Sequence, residues 1–152
     1  MTDAIEHQIS DTFRKAFYDM IDTTIVSENP DYAWIINLYS EIRNRLLHNI
    51  RKDSKTYNQI SEDFDIDLFE QMIKHDVFNF DSMHKLIDNT YTWIGRLQSP
   101  CRDESLEESK QRVLSVKSAK IVSVFIMEVN QCIDLLDEDI QKFFEIIDSE
   151  NS

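Results

Sequence analysis

The sequence predicts an all-α protein, a single-domain bundle of about five or six helices with a long C-terminal helix. Three observations lead there. One glycine and two prolines in 152 residues leave almost nothing for the φ > 0 turns that antiparallel hairpins use. Apolar residues recur at steps of three and four through most of the chain, the period of a helix face. Finally, Val122, Ile126, Val129, Ile133, Leu136, Ile140, Phe143 and Ile147 form a heptad-like seam, the pattern of a helix packed along much of its length.

The elements follow in order. Ile5, Ile9, Phe13, Phe17, Met20 and Ile21 make one stripe on a first helix from about Asp3 to Ile25. The corner Asn29-Pro30-Asp31 supplies a cap, a first-turn proline and an acid at the positive helix end. The next helix carries Trp34, Ile35, Leu38, Tyr39, Ile42 and Leu46, reaching toward Ile50. After the polar turn 51–54, Asp53 or Ser54 can cap a short helix with Tyr57 and Ile60. Another short helix, about Asp67 to Lys74, presents Leu68, Phe69, Met72 and Ile73. Asn79 is a suitable cap for the helix of Met83, Leu86, Ile87, Tyr91, Ile94 and Leu97, which Pro100 stops. The last helix is expected over 117–149. Ile121, Phe125, Cys132, Leu135 and Phe144 widen its apolar stripe, which predicts a central position. Only four alanines (Ala4, Ala16, Ala33, Ala119) support these helices, so packing rather than propensity must stabilise them.

A formal net charge of −13 repels phosphate backbones and anionic lipid, which argues against a nucleic-acid partner. The densest apolar run, Ile121–Val129, is broken by Glu128 and too short to span a bilayer, so no membrane insertion is expected. Met1–Ser10 contains Asp3 and Glu6 and does not read as a signal peptide. Cys101 and Cys132 lack metal-ligand spacing and read as reduced thiols of a cytoplasmic protein.

Several clusters have both a functional and a structural reading. Arg43, Arg45, His48, Arg51, Lys52 and Lys55 form the one basic cluster; they can receive an acidic or phosphorylated partner, or answer a helix dipole. Arg102, Asp103 and Glu104 after Pro100 can form a recognition corner. Alternatively the two acids open the next helix while Arg102 pairs with a carboxylate. His75 beside Asp76 can be a contact residue or a C-terminal capping donor. Cys101 beside Arg102 at a helix start is a weak redox candidate. Residues 134–150 hold seven acids and one lysine, a face for a basic surface or a solvated exterior. No histidine or cysteine partner falls at helical spacing from His75, so no catalytic, cofactor or metal set is read.

At Asp67-Leu68-Phe69-Glu70-Gln71-Met72-Ile73-Lys74-His75 the chain resembles the T-complex protein 11 family, which has an Asp-Leu-hydrophobic, Gln-rich, Glu-His-Gly-Ala-Leu-Asp pattern there. Ser99-Pro100-Cys101-Arg102-Asp103-Glu104 resembles that family's Ala-Pro-Val-Arg-Asp-Glu. Asn29-Pro30-Asp31-Tyr32, Glu41 to Leu47, and Ile133-Asp134-Leu135-Leu136 with Asp139 are also similar. The resemblance covers about 13–145 and departs at Asp76, where the family has glycine, and at Cys101, where valine is usual. It ends short of the family's later segment. It implies a helical, non-enzymatic protein that binds other proteins in a regulatory role. The pathway it implies is cyclic-AMP and protein kinase A signalling, including roles in sperm. The alternative reading is a structural homodimer joined through the 122–147 seam.

Overall fold

The computed structural model describes residue 15 and residues 18–23, 32–75, 80–118 and 120–151. Six helices follow one another there: α1 (Ala33–His48), α2 (Lys55–Asp63), α3 (Ile66–His75), α4 (Phe80–Leu97), α5 (Asp103–Leu114) and α6 (Ile121–Asn151). A 3-10 turn, Pro100–Arg102, precedes α5, and residues 18–23 are helical. There is no strand among the described residues.

Local chemistry sets these boundaries. Of the two candidate caps, Ser54 is the one used: its hydroxyl accepts the Tyr57 N–H at 3.1 Å, satisfying a first-turn donor. Asp65 does the same for α3 by accepting the Leu68 N–H at 3.0 Å. Helix α1 ends at His48, so Ile50 lies beyond it in the following turn. Ser99 adopts an extended backbone before Pro100, and Arg102 N–H then closes on the Ser99 carbonyl at 3.0 Å. Proline fixes φ and ends α4, but its ring suits the first position of a new helical turn. The last helix starts at Ile121, not 117. The Ile121 N–H bonds the Ser118 carbonyl, and the Ser118 hydroxyl accepts the Lys120 N–H at 3.4 Å, so a serine turn occupies the expected first turn. The proposed caps Asn29 and Asn79, and the stripe residues Ile5, Ile9, Phe13 and Phe17, lie outside the described residues.

Helix α6 is central, as its breadth of apolar surface predicts. It packs against α5, α4 and α1, while α1 holds α2 and α3 and α4 holds α5. From Ile121 to Leu136 its seam residues are buried beside Phe125 and Cys132. Tyr39 on α1 stacks on Phe69 of α3 with centroids 4.2 Å apart and tilts against Phe64 at 5.8 Å, tying the short helices to the core through aromatic contact. Ile21 is fully buried against the same core, and the Ser123 hydroxyl of α6 donates to Asp22 beside it. Outside α6, two apolar expectations fail. Met20 is 59% exposed and Leu68 48% exposed: each turns outward while its neighbour, Ile21 or Phe69, takes the inward position.

Candidate functional site

The basic cluster divides. Arg45 reaches from α1 to α6, donating to Asn130 Oδ1 at 3.0 Å, Asp134 at 2.7 Å and Asp137 at 2.9 Å. Its planar fork with several fixed donors suits such a clamp. Arg43 is half-buried, and its Nε has no hydrogen-bond partner. Arg51 pairs with Asp53 at 3.2 Å on the surface. Lys52 and Lys55 are exposed beside it. The cluster is therefore one interhelical clamp plus a small basic turn. No single basic face brings all its members together.

The Pro100 corner is also tied inward. Arg102 donates through Nε and Nη2 to the two oxygens of Asp139 at 2.9 and 3.0 Å, fixing the corner to α6. These bonds and the guanidinium charge hold the Asp139 carboxyl below its ordinary value. Asp103 and Glu104 occupy the first turn of α5, where they meet the positive end of the helix, and Asp103 accepts Gln98 Nε2 at 3.0 Å. Cys101 is exposed in the 3-10 turn. His75 is the last residue of α3, and its side chain lies outside the described residues.

One cluster escaped the sequence reading. Glu128 is 6% exposed in the first third of α6. Arg112 of α5 donates to both its oxygens at 2.9 and 3.1 Å, and Ser109 adds a third bond at 2.8 Å. The Ser109 proton is thus committed, so Tyr91 of α4 donates its hydroxyl to Ser109 at 2.8 Å and Cys132 its thiol at 3.4 Å. Three helices meet in a network whose donors and acceptors are matched, the condition under which buried polar groups are tolerated. Burial pushes the Glu128 carboxyl up, but the bonds from Arg112 and Ser109 outweigh it and hold the group below its usual value. Burial raises the Tyr91 phenol and the Cys132 thiol. The signal for this cluster was the one visible break in the Ile121–Val129 run, since a carboxylate flanked by core residues requires a partner.

A cleft of about 280 Å³ between the α2–α3 corner and α4 is lined by Tyr39, Asp63, Asp65 and Lys85 among others. Its carboxylates already serve the fold: Asp63 accepts Trp93 Nε1 at 2.6 Å, and Asp65 caps α3.

Beyond Leu136 the situation changes. Ile140 still packs partly against the core, but Phe143, Phe144 and Ile146 are 60%, 59% and 57% exposed, and Ile147 is half-buried. Three of the five large apolar side chains exposed among the described residues therefore lie within four consecutive positions. The Phe143 and Phe144 rings lie 6.1 Å apart, edge to face. The 122–147 seam is not one interface: its first five residues are already buried in the chain's own core, and only the last turns are open.

These elements define an all-helical bundle whose interior polar groups lock helices together and whose exposed large apolar side chains, among the described residues, concentrate at the end of α6. The T-complex protein 11 model matches residues 1–145, and the chain belongs to that family. The match includes both stretches that carry the resemblance and extends it to the first residue. No solved structure matches the chain. No helix among the described residues is long and apolar enough to cross a membrane.

Proposed function

We propose that this protein is a non-enzymatic, regulatory protein–protein interaction module of the cytoplasm, acting in the cyclic-AMP and protein kinase A pathway that the family resemblance implies. The observation behind this reading is the end of α6: an apolar ridge at helical spacing, continuous with the core seam and exposed among the described residues. Large exposed apolar side chains clustered on one face mark contact sites in soluble proteins, and aromatic residues dominate the energy of such contacts. The buried titratable groups give further support, because Glu128, Tyr91 and Cys132 are each hydrogen-bonded to Ser109 within the core. A homodimer through the whole seam is disfavoured, since Val122 to Leu136 would have to leave the core.

The test is affinity purification from the native cell with the wild-type chain and the Phe143→Ser/Ile146→Ser variant, followed by mass spectrometry. The expected result is a set of proteins retained by the wild type and lost with the variant, with kinase-pathway components among them. Retention that ignores the substitutions removes the contact surface. Partners outside the kinase pathway remove the pathway alone, and turnover of a small substrate by purified chain overturns the non-enzymatic reading.

A further inference from the structure

We infer that the end of α6 receives a basic amphipathic helix of another protein. The inference rests on the contact reading given above and names the partner's chemistry. Ile140, Phe143, Phe144 and Ile147 are spaced at three and four, so they share one helix face. Ile146 broadens that face beside Phe143. A convex ridge of this spacing extends the seam that already packs against helices inside the bundle, and the complementary shape is another helix whose side chains enter between its own.

Charge selects which helix. Over residues 140–150 the acids Glu145, Asp148 and Glu150 face one cation, Lys142, and that cation is paired with Glu138 at 3.1 Å. Among the described residues none of those three acids has an ion-pair partner, although Gln141 donates weakly to Glu145 at 3.4 Å. Asp148 lies one turn after Phe144, and Glu150 one turn after Ile146, so these two acids flank and end the apolar face, with Glu145 behind it. The chain as a whole carries a net charge of −13. A second copy would set acid against acid at the rim of its own interface, and an anionic membrane would be repelled in the same way. A partner with lysine or arginine beside its apolar stripe meets complementary charge on association.

Fluorescence anisotropy with labelled synthetic peptides on the full chain tests this. One peptide is an 18-residue helix with leucine at three-and-four spacing and lysine flanks. The second has glutamate flanks, and the third keeps the lysine composition with the leucines scrambled. The first should bind and the other two should bind at least about tenfold more weakly. Phe143→Ser should weaken the first by about tenfold. The triple variant Glu145→Lys/Asp148→Lys/Glu150→Lys should reverse the preference between lysine and glutamate flanks. Glu62→Lys, on exposed α2, should leave binding unchanged. All substituted side chains are exposed, and unchanged circular dichroism establishes that folding is intact; if Phe143→Ser does unfold the chain, the charge-reversal result decides.

Equal binding of lysine and glutamate peptides overturns the inference, as does equal binding of the scrambled peptide, which would indicate bulk charge alone. A dilution-sensitive dimer in light scattering, lost with Phe143→Ser, assigns the ridge to a second copy and also overturns it. Cellular partners lost with Phe143→Ser, combined with no peptide preference, would sink the partner chemistry and leave the contact surface standing. Partners indifferent to Phe143→Ser and no peptide binding would sink both.

Discussion

Replacing Arg112 with alanine removes the two charge-assisted bonds at 2.9 and 3.1 Å from a carboxylate that is 6% exposed. Breaking a buried ion pair from one side costs about 3–5 kcal/mol because the remaining charge stays desolvated. The Arg112 side chain is 56% exposed, so water can reach the vacated site and Ser109 still donates; the expected loss falls to about 2 kcal/mol. In a chain of this size that lowers Tm by about 4–8 °C. Glu128→Gln keeps the volume and releases Arg112 to solvent, so it should cost about 1 kcal/mol. The double variant should fall short of the sum by about 1 kcal/mol, because both changes remove one interaction. Urea unfolding followed by circular dichroism at 222 nm measures all three. The pH dependence has a fixed sign. The folded Glu128 carboxyl is held below its unfolded value, so its stabilisation is complete above the unfolded carboxylate pKa and is lost as pH falls through the folded one. Acid unfolding of Glu128→Gln should therefore be flatter than that of the wild type. An Arg112→Ala loss under about 0.5 kcal/mol, or strictly additive singles, would refute the view that this network pins α5 to α6.

Two further outcomes concern single residues. Cys101 is exposed and Cys132 buried with a raised thiol pKa, so an aromatic disulfide reagent at neutral pH should titrate one thiol in the native chain and the second only after denaturation; fast reaction of both would contradict the packing of α6. A Cβ on Gly95 would meet Leu106 Cδ2 at 3.5 Å, ordinary contact, within a regular helix. Gly95→Ala should therefore stabilise the chain by about 0.5–1 kcal/mol, visible as a higher Tm; a lower one would mean that the α4–α5 contact is tighter than 3.5 Å.

The helices were legible because their apolar positions obey one period and because capping is local chemistry. Ser54, Pro100 and the acids opening α5 act on backbone within three residues of themselves, where sequence distance and spatial distance agree. The α6 start was misjudged for a similarly local reason, since Ser118 competes for first-turn amides. The site residues were harder. Arg45 looks like a free surface cation in one dimension, and Arg102 like one paired with a carboxylate that the sequence does not name; their partners Asp134, Asp137 and Asp139 lie on α6, and only the folded arrangement brings them together. The basic cluster accordingly read as one surface when it is a clamp and a turn. The seam from Val122 to Ile147 has constant spacing, and periodicity alone cannot say where neighbouring helices stop. That stop falls after Ile140, and it is what exposes Phe143, Phe144 and Ile146.

Helix α6 runs for 31 residues without a glycine or proline, so it lacks the residues at which helices usually bend sharply. Its buried portion is gripped by Arg45, Arg102 and Arg112 from two other helices and the Pro100 turn, and its free portion continues the same axis. Whatever attaches to the outer turns is consequently carried at a set bearing relative to the body, as by a lever without a joint. Displacing that end requires either unwinding the rod or rotating the domain with it.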